Sequence, residues 1–278
     1  MSLTSADRPG AGTPQSDPPS AGGPRGVGPI LGVFEYYLTG YRRTWRASVF
    51  SSFLLPLLTV LSFGVGVGAY VDGGIGGVPY LDWIVPGLIA STAMQVAIGE
   101  SSWPVLGGFS WQRTYYSQIA APLRIIDIVG GLLAFVLVRV LASAVAFVVV
   151  AAAFGALRSG RAMLTLPVAL LLAASVALPV AAFAATIRSD SYMVIVFRFA
   201  VIPMTLFAGV FFPVESLPPV VRPLAYLSPL WHGVDLCRAA ALGLAPAWSV
   251  PGHLVYLGLW VVGGWLLAVS RFRSRLVH

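Results

Sequence analysis

Three ionisable residues, Glu100, Arg139 and Arg198, stand inside long apolar stretches of the sequence. In a membrane such residues are costly, so they face a protein interior or a water-filled cavity and are functional candidates by default. Glu100 lies seven residues from the end of its stretch and Arg198 six residues from the start of its own. At a helical rise of about 1.5 Å per residue both are about 10 Å deep. Arg139, fourteen residues into its stretch, is about 21 Å deep by the same rise. Equal depth predicts a contact between Glu100 and Arg198, within or between subunits, near a gate, and leaves Arg139 without an assigned partner. The competing reading is snorkelling to the headgroups, feasible for arginine at that depth and harder for glutamate.

Further polar chemistry gathers at Glu215, Trp231, His232, Asp235 and Arg238. Asp235 and Arg238, spaced i, i+3, predict a local ion pair. His232 is alone in its stretch, with His253 and His278 distant in sequence, so no metal-ligand spacing exists. The one cysteine, Cys237, gives neither an internal disulfide nor a cluster. An intramembrane enzyme acting on lipid or glycolipid, the alternative class, would need a nucleophile with a base, a metal motif or an acidic pair. The sequence has no GxSxG or HExxH, and Glu100 is the sole carboxylate in its stretch. A channel would need rings of charge or repeated filter segments, which are also missing.

All 17 Lys+Arg residues are arginine. Without lysine there is no Walker A loop to reach a nucleotide's terminal phosphates and no Schiff base. Any use of ATP therefore falls to another chain. Asp72 to Gly77 is a loop rather than a phosphate cradle, since it does not open a soluble βαβ unit. Gly64 and Gly68 form a GxxxG pattern that allows close helix contact, as at a dimer face.

The elements that must position these residues follow from composition. The chain is 58% hydrophobic and 10% charged, with mean hydropathy +0.86, whereas soluble domains carry about a quarter charged residues. This excludes an ordinary soluble protein and predicts an all-α membrane protein. Residues 1–28, rich in Pro, Gly and Ser, predict a disordered tail. Over 29–46, Ile30, Leu31, Phe34, Leu38, Tyr41 and Trp45 recur at three- and four-residue steps with Arg42, Arg43 and Arg46 between them. That pattern predicts an interfacial amphipathic helix, the alternative being the first turns of one long spanning helix.

Six apolar segments, 47–70, 83–107, 125–156, 163–187, 192–213 and 252–270, are each long enough to span, and six spans put both termini on one side. Nine arginines (42, 43, 46, 113, 124, 188, 271, 273, 275) flank the N-terminal side against four (158, 161, 222, 238) on the other. The positive-inside rule then makes both termini cytoplasmic. Between spans five and six, Ser228 as N-cap, Pro229 at the first helical position and Gly243 as the stop predict a short helix. At about 21 Å it cannot cross alone, so an outer re-entrant or interfacial helical hairpin is expected.

Four stretches carry a family resemblance: Pro86-Gly-Leu-Ile-Ala-Ser-Thr-Ala-Met94 with Glu100; Gln112-Arg-Thr-Tyr115; Phe211-Phe-Pro-Val-Glu-Ser-Leu-Pro218; and Ser228-Pro-Leu-Trp-His-Gly-Val-Asp235 followed by Leu242-Gly243. In order and spacing they resemble the membrane subunit of type 2 ATP-binding-cassette exporters, above all the nodulation-protein J, or lipo-oligosaccharide exporter, branch. The resemblance covers residues 30–270 and makes 47–278 a type 2 permease domain in a bacterial plasma membrane. It implies a pair of permease copies, a homodimer or a pair of paralogues, and two cytoplasmic ATP-binding subunits. ATP and Mg would sit on those subunits, with no cofactor, metal or nucleic acid on this chain. The coupling element is then the loop 108–122 with Gln112, Arg113, Thr114, Tyr115 and Tyr116. The pathway or gate candidates are Met94, Gln95, Glu100, Arg198, Phe207 and Phe211. The implied cargo is amphiphilic: a lipid, a lipo-oligosaccharide, a drug or an antibiotic. By itself the loop also fits an interfacial belt of aromatic residues at headgroup level.

Overall fold

The computed structural model describes residues 27–70, 74–156 and 160–277. The tail prediction falls outside these residues except at 27 and 28, and Asp72 and Arg158 also lie outside them. Regular structure among the described residues is helical apart from one isolated bridge between Ile75 and Val78.

The first helix, α1, is Val27–Thr59 and continues as a π-helical segment, Val60–Val67. It passes the expected boundary at 46 without interruption, and no Gly or Pro lies between Tyr41 and Phe53 to break it. Its first half packs along the fifth helix, so the backbone shows one long helix where the periodicity suggested two units. The expected second span is bent: α2 is Tyr80–Ser101 and α3 is Trp103–Ser110. Pro104 cannot donate to the carbonyl of Glu100 four residues earlier, and the chain jogs at Ser102 (φ −96°, ψ −99°).

After α4, Thr114–Ala120, helix α5 is Ile125–Ala153. It opens on a carboxylate cap, in which the Arg124 N–H donates to Asp127 Oδ2 at 2.9 Å. Helix α6 is Thr165–Thr186. The expected fifth span is short and irregular, made of α7 (Ser191–Val196), a π-helical turn (Phe197–Val201) and α8 (Ile202–Phe207). It stops short of residue 213 because Gly209 adopts φ +78°, a left-handed conformation that ends a helix. Then come α9 (Arg222–Tyr226), α10 (Pro229–Leu242) and α11 (Val250–Leu276).

The helices form a bundle with two distinct ends. At the α4 end lie the start of α1, α3, α4, the C-terminus of α6 and the last turns of α11, joined by Tyr37 with Tyr115, Phe109 with Phe272, and Arg275 with Ala185. At the α10 end lie the start of α2, the chain after α8, and the start of α11, joined by Arg238 and His253. The described chain passes between these ends six times. Four passages are long and apolar enough to cross a membrane: Tyr80–Ser110, Ile125–Ala153, Gly160–Thr186 and Val250–Leu276. Ser191–Phe207 is a shorter apolar helix.

Helices α2 and α6 form the centre, with Ile84, Ile89, Met94, Ile98, Ala169, Leu172, Ala173 and Ala182 buried. The run of alanines on α6 lets neighbouring backbones approach closely, as small residues do in membrane helix packing. Gly64 does the same inside the subunit: a Cβ there would stand 2.5 Å from Leu81 Cδ1. That glycine is spent on the start of α2, not on a free dimer face.

Candidate functional site

Glu100 pairs with Arg139, not with Arg198. Arg139 Nε donates to Glu100 Oε1 at 2.9 Å, and the guanidinium lies 4.3 Å from the Tyr41 ring centroid. The depth estimate failed because it treated span two as one straight helix ending at Gly107. The jog at Ser102 and the extension to Ser110 move Glu100 deeper, and the long arginine side chain closes the remaining offset. The pair lines a cavity of about 780 Å³ between α1, α3 and α5, whose wall also includes Tyr37, Phe135 and Gln112. Gln112, from the loop before α4, thus shares one cavity with the ion pair.

That loop presents a divided surface. Its backbone closes on α3 through Gln112 N–H to Gly107 O at 2.9 Å. Arg113 sits at φ +52°, the sole positive φ at a non-glycine among the described residues. Backbone conformations of this kind cluster at functional sites. Trp111 (65% exposed), Gln112, Arg113 and Tyr116 face outward. Tyr115 is buried: its hydroxyl hydrogen-bonds Tyr37 at 2.9 Å and its ring meets Phe109 and Phe272. Burial, and then Tyr37, raises the Tyr115 phenol well above its ordinary value, so the pair is neutral and acts through its hydrogen bond. Tyr36 donates to Thr114 Oγ1 at 3.4 Å. Tyr115 therefore ties α4 to α1 and α11 instead of offering itself to a partner. Trp111 is the exposed aromatic that sequence reasoning left out, although it adjoins the quoted motif.

The pathway candidates separate. Met94 is fully buried in the core of the helices. Gln95 is exposed and donates to Ser91 Oγ at 3.1 Å. Arg198 lies in the π-helical turn, exposed beside Phe199, and has no hydrogen bond or ion pair among the described residues. Phe207 is exposed, while Phe211 meets Phe63 of the first passage, ring centroids 5.1 Å apart.

At the α10 end the expected caps are present: Ser228 Oγ accepts from Leu230 N–H at 3.2 Å, and Gly243 terminates the helix at φ +69°. The expected Asp235 and Arg238 pair is replaced by separate duties. Arg238 donates through Nε to Trp83 O (3.2 Å) and through Nη2 to Gly209 O (2.7 Å) and Val210 O (3.1 Å), and its guanidinium stacks 3.5 Å from the Trp83 ring. It takes up carbonyls of the irregular chain that follows α8. Buried backbone acceptors outside regular structure need a partner, and this competing demand draws the guanidinium away from Asp235. Burial lowers Arg238 to about 10, against the opposing pull of Asp235, so it remains charged at neutral pH. Gly87 makes room for it: a Cβ at 87 would stand 3.2 Å from both Arg238 Nη2 and Val210 O.

Asp235 instead accepts from Ala247 N–H at 2.7 Å and lies 3.0 Å from His253 Nε2. His232 is not alone, because folding brings His253 to it with Nδ1 to Nδ1 at 2.8 Å. Tyr226 O lies 3.0 Å from His232 Nε2 and can only accept, so the proton of neutral His232 is on Nε2. Its Nδ1 accepts and His253 Nδ1 donates. Burial, then His253, lowers His232 to about 4. Trp231 is buried against Tyr226 and Trp248, while Glu215 is exposed and contributes its carbonyl to Arg222 Nη2 at 2.6 Å. Among the described residues, no group of three or more His, Cys, Asp or Glu is placed to hold a metal ion.

The α4 end has a counterpart to Arg238 that sequence reasoning used solely for orientation. Arg275 Nη1 donates to Ala184 O, Ala185 O and Ile187 O at 3.3, 3.0 and 2.7 Å, and Nη2 donates to Ser110 Oγ at 3.2 Å. Its position four residues after Arg271 signals a basic face but says nothing about the carbonyls it caps.

Comparison with known proteins covers most of these features. The family model described as ABC-2 type transporter matches residues 30–242, from α1 through α10. Nodulation protein J of Rhizobium leguminosarum bv. trifolii is 30% identical over 251 residues, 89% of this chain and 94% of its own. Nodulation protein J of Neorhizobium galegae is 27% identical, covering 92% and 97% of the two chains. The inner membrane transport permease YadH of Escherichia coli K12 is 26% identical, covering 73% and 79%. With the family match spanning the ion pair, α4 and the Arg238 cap, the chain belongs to the ABC-2 type transporter family.

Proposed function

We propose that this chain is the membrane-spanning permease of an exporter that moves an amphiphilic substrate from the cytoplasm or inner leaflet, driven by ATP hydrolysed on separate subunits. Two permease copies would assemble with two ATP-binding subunits. The observation that carries this reading is the divided surface of α4. Trp111, Gln112, Arg113 and Tyr116 are exposed for a partner, while Tyr115 is wired into α1 and α11. Movement imposed on the exposed side would reach the helices directly, and Gln112 would carry it to the Glu100 and Arg139 cavity.

The α4 end is the cytoplasmic one in this reading. Arginines 113, 124, 188, 271, 273 and 275 lie there, against 161, 222 and 238 at the α10 end, in keeping with the positive-inside rule. The six passages are then six spans, with α9 and α10 as an outer hairpin packed on α2 and α6. The name of one relative, an inner membrane transport permease, supports transport across a membrane, and the amphiphilic cargo rests on the family resemblance of the sequence. The chain itself is a transport subunit, not an enzyme.

The test is to co-express the chain with each candidate ATP-binding subunit of its genome and to measure co-purification and ATP turnover in proteoliposomes. Arg113→Ala with Tyr116→Ala should lower permease-dependent turnover about tenfold, the scale of losing interface hot spots. An ATP-binding subunit whose turnover ignores this chain would overturn the reading.

A further inference from the structure

We propose that the cavity between α4, the C-terminus of α6 and the last turns of α11 binds a phosphoryl anion, supplied by a lipid headgroup or by free phosphate. Its volume is about 940 Å³, and its walls include Arg188, Arg271, Arg275, Ser274, Ser110 and Tyr116. Among the described residues, no carboxylate lines it. Three guanidiniums and several hydroxyls thus converge on one concavity with no counter-charge from those residues. Charge-assisted hydrogen bonds to phosphate are the strong interactions such a set can form. The volume falls within the range of small-molecule sites, about 300–1,000 Å³, and so admits a whole headgroup.

The site is partly preorganised. Arg275 is held by three carbonyls at the end of α6 and by Ser110 Oγ, with its guanidinium 4.5 Å from the Phe109 ring centroid. Its orientation needs no ligand, which reduces the ordering cost of binding. Arg188 and Arg271 are exposed and have no hydrogen bond or ion pair among the described residues, so their donors are free for an anion. A general excess of arginine at this end would follow from membrane orientation alone, but the cavity discriminates between neighbours. Arg273, on the same helix and two residues from both Arg271 and Arg275, is exposed and lines no part of it. The walls also join α11 to Ser110 and Tyr116 beside α4, so an occupant would bridge the C-terminal helix to the loop proposed above as the coupling element. The binding site itself does not depend on that reading.

The test uses the full-length chain in neutral detergent, with dihexanoylphosphatidylglycerol and inorganic phosphate as separate probes and the shift in melting temperature as the binding signal. Arg271→Gln and Arg273→Gln each remove one charge from the same helix. Neither side chain has a partner to lose, so the unliganded melting temperature should stay unchanged in both. Arg271→Gln should weaken the probe's apparent affinity about tenfold, the loss of one charge-assisted contact, and Arg188→Gln should act likewise. Arg273→Gln should change it less than about twofold, as a screened surface charge does. Binding of the lipid probe alone identifies a headgroup site, and binding of both identifies a site for the phosphate itself. Equal losses in Arg271→Gln and Arg273→Gln would overturn the proposal. So would failure of both probes to bind the wild-type chain, which would leave the cavity to an acidic side chain of an ATP-binding subunit.

Discussion

Arg238 and Arg275 perform the same local task at opposite ends of the bundle, yet their surroundings differ. Each guanidinium collects backbone carbonyls where a helix stops, Gly209 and Val210 after α8 for one and Ala184, Ala185 and Ile187 after α6 for the other. Around Arg238 the chain is closed: Trp83 covers the guanidinium, and Asp235 lies nearby within a His232 and His253 cluster. Around Arg275 the chain is open, with Arg188 and Arg271 facing the same cavity and no carboxylate of the described residues in its wall. One end spends its polar groups on itself, and the other leaves donors unspent. The first arrangement suits a fixed frame and the second a surface that meets something else.

The largest expected effect is at the closed end. Arg238→Met removes the cap from carbonyls of the buried residues Trp83, Gly209 and Val210, and should cost about 3 kcal/mol, measured by thermal unfolding in detergent. Arg275→Met should cost less, about 2 kcal/mol, because the half-open cavity lets water replace part of the cap. Equal losses would erase the distinction between the ends.

Midway between them, Glu100→Gln should cost about 1–2 kcal/mol by leaving Arg139 without its carboxylate, and Glu100→Gln with Arg139→Gln should recover part of that loss. Additive losses would mean that the two side chains do not depend on each other.

The last effect is in pH, and it vanishes near neutrality. His232 is lowered to about 4 in the fold, against about 6.5 for a free imidazole. Between those values the unfolded chain holds a proton that the folded chain refuses. Stability should therefore fall as pH drops from about 6.5 toward 4 and stay flat above that window. Melting curves at several pH values, compared with His232→Asn, check this; an unchanged slope in the variant would assign the acid sensitivity elsewhere.

What could be read from the sequence was local. Ser228, Pro229 and Gly243 marked both ends of α10 because caps act within a few residues of their own backbone. The apolar runs marked most helices for the same reason. Contacts that depend on helix geometry far along the chain were not legible. The jog at Ser102 defeated the depth argument for Glu100, although Pro104 was its visible signal. His232 looked solitary because its partner is brought by a different helix. The pairing of Asp235 with Arg238, reasonable by spacing, lost to the carbonyls freed at Gly209, a demand that appears only once the fifth passage ends early. Tyr115 was placed correctly in the loop but on its inner side, since a single short turn of helix carries no periodicity to show which face is covered.

The space that Gly87 leaves for Arg238 also constrains how this chain can vary. A methyl group at 87 would press on the guanidinium and on Val210 O at 3.2 Å, so a substitution there acts as damage to the cap itself. Positions 87, 209 and 238, far apart in the gene, form one hereditary unit. A change at one is tolerated where the others change with it, and in a mutational scan of this protein the three should fail together.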